Sequence, residues 1–254
     1  MKCTPRPVAL TIAGSDSGGG AGIQADLVTF AALGVHGASA ITCVTAQNAQ
    51  MISRLEPCSP AMVRAQIEAV FAQLPPAAAK TGLLYSAAIV REVARFFRQT
   101  PGVPLVVDPV MFASSGRRLL QADAARLLRR ELLPLAALVT PNLFEAEYLI
   151  GKKIRTPEEL RAAARLIYQS SGCAALVKGG HLEGGEAAVD FLCGNGGEWM
   201  LSAPRIQGVA LHGTGCRYSA AITAWLARGR SLPKSVELAK SHIADVIASG
   251  QSES

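Results

Sequence analysis

Six cysteines are present (Cys3, Cys43, Cys58, Cys173, Cys193 and Cys216), yet no two of them form a Cys-x-x-Cys pair. Several lie in apolar runs, as reduced buried thiols do, so a cytoplasmic chain without disulfides is expected. No apolar run approaches the roughly 20 residues that a membrane span requires. The chain enters Val8-Ala9-Leu10-Thr11-Ile12 directly, a stretch too short for a signal h-region and followed by a glycine loop. Internal repeats, low-complexity tracts and interdomain linkers are also missing. Charge is thin as well: 25 basic against 19 acidic residues leave a net +6, with 17 % of residues charged. The only dense basic cluster is Arg126, Arg129 and Arg130 on a helical pattern, which reads as a solvated face. Neither nucleic acid nor a membrane is an expected partner.

What remains is apolar. Half of the 254 residues are hydrophobic, enough for one globular domain over 1–254 with a sizeable core. Short β-rich runs alternate with helical patterns. Strands are expected at Val8–Ile12, Ala38–Val44, Ala78–Leu83, Pro104–Val107, Ala137–Thr140 and Ala174–Val177. A hairpin is expected from Ala187–Leu192 and Trp199–Ala203 around Gly-Asn-Gly-Gly. Helices are expected at Ala21–Leu33, Met62–Leu74, Ala87–Arg98, Ala124–Leu132, Leu143–Ile150 and Pro157–Ser170, with two more from Gly215 and from Pro233. Parallel strands need crossovers, so this alternation predicts an α/β fold: a three-layer α/β/α sandwich around a mainly parallel sheet. Ligands of such sheets bind beyond the carboxyl ends of the strands.

That rule gathers several loops. The stretch His212-Gly213-Thr214-Gly215-Cys216 precedes a helix whose apolar face carries Tyr218, Ala221, Ile222 and Trp225. Amide N–H groups at such a helix start attract an anion, and glycine lets the oxygens approach. The same field is expected to lower the pKa of Cys216. On spacing alone, a tight turn would look alike. The first strand runs into Gly14-Ser15-Asp16-Ser17-Gly18-Gly19-Gly20-Ala21-Gly22, either a flexible connection or backbone wrapped around a small molecule. Asp26 falls inside the apolar stripe of Ile23, Phe30 and Leu33, so its carboxylate needs a partner. Asp26 is either a satisfied core Asp or part of a helix-end salt bridge, or a group that accepts a hydrogen bond from substrate. Asp108 follows a strand. Asn142 and Glu145 have capping-box spacing, and Lys178, ahead of Gly179 and Gly180, is either a phosphate ligand or an ordinary strand-end lysine. The glycine loops at Gly14 and Gly179 are the candidates for closure over ligand.

Together these motifs resemble, in order, those of hydroxymethylpyrimidine and phosphomethylpyrimidine kinases, thiamin-biosynthesis enzymes of the ribokinase superfamily. The matching segments are Gly14–Asp26, Ala46-Gln47-Asn48, Asp108-Pro109-Val110-Met111, Thr140–Ala146, Val177-Lys178-Gly179-Gly180-His181 and His212–Cys216. The resemblance implies a ribokinase-like fold and ATP-dependent phosphorylation of 4-amino-5-hydroxymethyl-2-methylpyrimidine, then of its monophosphate. It implies that Asp26, Gln47, Val44 and the Gly14 region hold the pyrimidine. Asn142, Glu145 and Asp108 would organise Mg²⁺, and Lys178 would neutralise phosphate charge. Gly213, Thr214 and Gly215 would form the anion hole, with Cys216 as base or as a tolerated small residue. A homodimer is the family expectation. Arg217 and Tyr218 stand where members usually carry small or apolar residues, so Arg217 either binds phosphate or crowds the hole. The alternatives are a pyridoxal kinase of the same superfamily and a non-catalytic pyrimidine-binding homologue.

Overall fold

The computed structural model describes residues 6–48, 50–113, 116–180, 182, 187–205 and 213–250. Its strands are β1 (Val8–Asp16), β2 (His36–Gln47), β3 (Ile52–Pro57), β4 (Ala78–Thr81), β5 (Leu105–Val107), β6 (Leu138–Val139), β7 (Ala174–Lys178), β8 (Ala187–Gly194) and β9 (Gly197–Pro204). Its helices are α1 (Gly22–Ala32), α2 (Pro60–Gln73), α3 (Ala87–Gln99), α4 (Ala122–Leu127), α5 (Leu143–Ile150), α6 (Pro157–Ser171), α7 (Thr214–Ala227) and α8 (Leu232–Ala248). The strands form one nine-stranded sheet in the order β3-β2-β1-β4-β5-β6-β7-β8-β9. Neighbours from β2 across to β7 are parallel, and β3, β8 and β9 add antiparallel margins.

Period-two alternation sends successive residues of the central strands into opposite layers. Leu10, Ile12, Leu105 and Val107 pack into the core beneath α2 to α6. Ala9 and Val106 face the other way, towards α1, α7 and α8. The expected three layers are therefore present. After β1 the chain builds β2 and β3 on one side, then returns to place β4 on the other. Such a reversal leaves a crevice at the carboxyl ends of the two strands flanking it, because the following loops diverge.

Several elements differ from expectation. β3 has no counterpart in the sequence reading, since Ile-Ser-Arg-Leu-Glu-Pro is an exposed margin strand with little apolar alternation. β1 continues through the first glycine to Asp16, and β4 stops at Thr81. The helix expected over 124–132 ends in a wide π turn at Leu128–Leu132 and a 3-10 turn at Leu133–Leu135. Pro134 cannot donate an N–H to the preceding turn and crowds its carbonyl, so the α-helical spacing loosens ahead of it.

Candidate active site

The carboxyl edge of the sheet opens into a cavity of about 1410 Å³. Gly14, Thr45, Gln47, Ile52, Gly82 and Leu83 line one end. Asp108, Glu145, Lys178 and Cys216 line the middle, and Ala188, Pro204, Lys240, Ile243 and Ile247 the other end. Every expected site residue except Val44 contributes to this wall. Val44 is 52 % exposed, because alternation along β2 turns Thr45 and Gln47 inwards and Val44 out. Thr45, not Val44, is the inward residue of that pair, and the pattern of β2 alone would have found it.

The glycine segment is closely packed at both ends, where β1 finishes and α1 begins, while Ser17, Gly18 and Gly19 between them are exposed. A Cβ on Gly14 would lie 2.8 Å from Cys43 Sγ, and one on Gly22, whose φ is +59°, would lie 2.3 Å from the Gly14 carbonyl oxygen. Asp16 closes the turn by accepting 2.9 Å hydrogen bonds from the Gly18 and Ala21 N–H groups. α1 has no side-chain N-cap of its own, so this carboxylate supplies the missing acceptor at its amino end. Sequence reasoning passed over Asp16. An acid among glycines ahead of an uncapped helix was the available signal.

Asp26 has found a core cation. Its Oδ1 lies 2.7 Å from Lys80 Nζ, and its Oδ2 accepts a 2.6 Å hydrogen bond from Thr11. Both charged side chains are 0 % exposed. Burial pushes the Asp26 carboxyl up, against the pull of the Lys80 ammonium. Burial would likewise strip Lys80 of its proton, but the negative charges of Asp26, Cys216 and Asp108 outweigh it and hold the ammonium. Lys80 sits 54 residues from Asp26 in sequence, and nothing local to Ala-Ala-Lys-Thr announces it.

The centre is a second network. Asp108 accepts from Lys178 Nζ at 3.2 Å, from Thr140 at 3.3 Å and from Ser219 at 3.0 Å. Asn142 and Glu145 form the expected capping box at the start of α5. The Glu145 carboxylate also accepts the Met111 N–H at 3.3 Å. Burial pushes Glu145 up to about 7, with Lys178 opposing and Asp108 reinforcing the shift. Lys178 keeps its proton despite burial because Asp108 and Glu145 face it. Gly179 itself is held in place, and most of the stretch after it that was expected to close, residues 181 and 183–186, lies outside the described residues. A Cβ on Gly179 would stand 2.1 Å from the Val189 carbonyl oxygen, and the Gly179 N–H donates to Asp190 at 3.0 Å. Asp190 in turn holds Lys240 at 2.7 Å. His181 lies outside the described residues.

Gly213 enters α7 in the left-handed region, with φ +80°. A Cβ there would meet the Gly20 carbonyl oxygen at 2.0 Å, so only glycine lets the two loops touch. Gly215 leaves room for Lys178, whose Nζ would sit 3.3 Å from a Cβ at that position. A cation thus lies against the opening turn of a helix, where amide hydrogens lack intrahelical acceptors. The expected lowering of Cys216 is not found: burial pushes the thiol up to about 11, overriding Lys80 and the Gly22 N–H that pull it down. Burial outweighs the helix field here. Arg217 is buried and is not part of the cavity wall. Burial and the Arg217 charge hold His242 of α8 below its ordinary value, against Asp245. His212 lies outside the described residues.

Among the described residues no helix is long and apolar enough to cross a membrane. The Phosphomethylpyrimidine kinase family model matches residues 16–253. A hydroxymethylpyrimidine/phosphomethylpyrimidine kinase of Rhizobium meliloti is 48 % identical over 93 % of this chain and 88 % of its own length. The crystal structure of a phosphomethylpyrimidine kinase from Clostridium difficile is similar with a TM-score of 0.84 and 40 % identity, covering 95 % of this chain and all of that one (100 %). A pyridoxal kinase from Staphylococcus aureus, solved with AMP-PCP and pyridoxal, gives a TM-score of 0.86 at 33 % identity, over 96 % of this chain and 88 % of that one. With one crevice at the carboxyl edge of a ribokinase-like sheet and these likenesses over nearly its whole length, the chain belongs to the phosphomethylpyrimidine kinase family.

Proposed function

We propose that this kinase moves the γ-phosphoryl group of ATP to the hydroxymethyl oxygen of 4-amino-5-hydroxymethyl-2-methylpyrimidine, and then phosphorylates the monophosphate. One observation carries the reading: a single cavity runs from Gly14 and Gln47, past Lys178 and Gly213–Cys216, to Ala188 and Ile247. It offers an acceptor seat, a charged middle and an apolar far end, in the order that in-line transfer requires.

The pyrimidine sits between the Gly14 backbone and Gln47. Asp26 forms the floor beside it, with its charge answered by Lys80. ATP lies along the other arm with its base among Ala188, Ala203, Ile243 and Ile247 and its phosphates over the start of α7. As the acceptor oxygen bonds to the γ-phosphorus, the bond from that phosphorus to the β,γ-bridging oxygen breaks. Lys178 and the amides of Gly213, Thr214 and Gly215 face the oxygens on which charge gathers, and being held in place they need little reorganisation. Cys216, as thiolate, takes the hydroxyl proton. A loose transition state asks little of this base, so a thiol with a pKa near 11 is compatible with turnover.

Asp108, Asn142 and Glu145 offer hard oxygen donors beside the phosphate region, and no group of three or more His, Cys, Asp or Glu that could hold a metal occurs among the described residues. This sparse set suits Mg²⁺, which is held by one or two carboxylates together with water and substrate phosphate. Bound there, Mg²⁺ would neutralise phosphate charge. We also propose a homodimer in the cytoplasm, with the exposed Val44 and Met51 beside margin strand β3 supplying apolar contact; sedimentation as a monomer would count against it.

ADP release with added aminopyrimidine, and a fall in that rate in Cys216→Ala while the variant keeps its circular dichroism, is the expected result. Turnover of pyridoxal with none of the aminopyrimidine would replace the proposed substrate. Binding of aminopyrimidine without turnover would leave a non-catalytic homologue.

A further inference from the structure

Lys178 and the opening turn of α7 reach the middle of the cavity from different elements, so their spacing needs a tie. The turn is seated on the loop after β1 by the close approach of Gly213 to the Gly20 carbonyl oxygen, but Gly213, its N-cap, has no side chain to bond with. Lys178 stands on a flexible stem, and its Nζ lies against Gly215, 3.3 Å from where a Cβ would be. Asp108 joins the two. Its Oδ1 accepts from Lys178 at 3.2 Å and from Thr140 at 3.3 Å, while its Oδ2 accepts from the Ser219 hydroxyl at 3.0 Å. Ser219 is 0 % exposed and lies on α7, 111 residues from Asp108 in sequence. We infer that Ser219 is a positioning residue: by holding α7 to the Asp108 carboxylate, it keeps the Lys178 ammonium set against the amide turn of Gly213–Gly215.

A serine inside a helix often bonds back to a carbonyl three or four residues earlier, and Ser219 Oγ also lies 3.0 Å from the Cys216 carbonyl oxygen. A hydroxyl has one hydrogen to give. Of the two acceptors the carboxylate is the stronger, because an ionised partner makes the bond roughly twice as strong. The Cys216 carbonyl, in contrast, already stands in register for the N–H four residues on. The hydrogen therefore goes to Asp108. Thr223, one turn later, shows the ordinary case: its hydroxyl donates to the Ser219 carbonyl at 2.8 Å and, among the described residues, to nothing outside α7. At Ser219 the ends of β5, β6 and β7, through Asp108, Thr140 and Lys178, converge with a helix on one carboxylate that is 2 % exposed.

Ser219 does not line the cavity, so any kinetic effect of its hydroxyl passes through Asp108. The inference rests on the phosphoryl transfer proposed above, and steady-state kinetics of the full chain with ATP and the aminopyrimidine test it. Ser219→Ala is expected to lower kcat roughly 10- to 100-fold, as a misplacement of about 1 Å does, and to leave KM for the aminopyrimidine within about twofold. The pyrimidine seat is spared because it lies on the other side of the contact between Gly20 and Gly213. Added to Lys178→Ala, the same change is expected to cost no more than about twofold further, because no ammonium is left to align. A serine that only supports the fold would add its loss in full. An unmoved kcat in Ser219→Ala, or additive losses in the double variant, overturns the inference. Should Ser219→Ala fail to fold, the nearly isosteric Ser219→Cys, whose S–H is a weak donor, decides in the same way: an unmoved kcat overturns it. No turnover by the unsubstituted chain would overturn the proposed function and this inference together, whereas normal turnover with Ser219→Ala unaffected overturns this inference alone.

Discussion

Lys80 and Lys178 make the same bond in two settings. Each extends from a strand of the parallel sheet towards an aspartate, at 2.7 Å for Lys80 and Asp26 and at 3.2 Å for Lys178 and Asp108. The first pair is sealed, with both side chains 0 % exposed and Thr11 closing the carboxylate. The second keeps 12 % of the lysine side chain open to the cavity and sets it against the glycine turn of α7. Identical chemistry is therefore sealed off as a fixed charge in one place and left facing the cavity in the other, where the proposed function uses it as a contact for phosphate. Access, rather than residue type, separates the two.

The sharpest way to break this contrast is Lys80→Met. It strands a buried carboxylate and is expected to cost about 3–5 kcal/mol in urea unfolding. Lys80→Met combined with Asp26→Leu recovers most of that loss, because no buried charge is left unanswered. Equal losses in the single and double variants would show that the pair is not the unit at fault. Lys178→Ala should do the reverse. Asp108 keeps Thr140 and Ser219, so stability falls by no more than about 1–2 kcal/mol, while kcat falls roughly 10²–10³. Steady-state kinetics beside a urea titration separate the two effects.

A third pair supplies the exposed limit. Glu198 accepts from Arg161 at 2.7 Å and also pairs with Arg165. Those hydrogen bonds, Arg165 first, hold its carboxyl down at about 2. The sign follows from the depressed value: whatever stability it adds is complete above the ordinary carboxyl value of 4.5 and fades as pH falls towards about 2. Glu198→Gln should thus show the smallest shift in urea midpoint of the series. That shift should shrink further with added salt, because water and ions screen exposed partners. A difference that grew towards acid pH would contradict this assignment.

Much of the fold and site was legible because local rules and tertiary demands coincide. The strand–helix alternation fixed the layers, and the Asn142–Glu145 spacing announced a capping box that is present. Asp26 advertised its need for a partner by standing in an apolar stripe. That the partner is Lys80 was not legible, since a lysine within a four-residue buried strand carries no local mark of what it faces. β3 escaped because a margin strand need not be apolar. Cys216 shows a different limit. The helix-start argument had the right field but no measure of burial, and burial is a property of the whole packing. Val44 was misplaced by one residue in a strand, where one residue is the difference between the two faces.

The contact between Gly20 and Gly213 has a consequence for divergence. A Cβ at Gly213 would fall 2.0 Å from the Gly20 carbonyl oxygen, so the loop after β1 and the turn before α7 are joined main chain to main chain. Their spacing depends on no variable side chain. On the proposed function, substitutions around the pyrimidine seat would retune which alcohol is accepted, while the reach from that alcohol to the incoming phosphorus stays fixed by the seam.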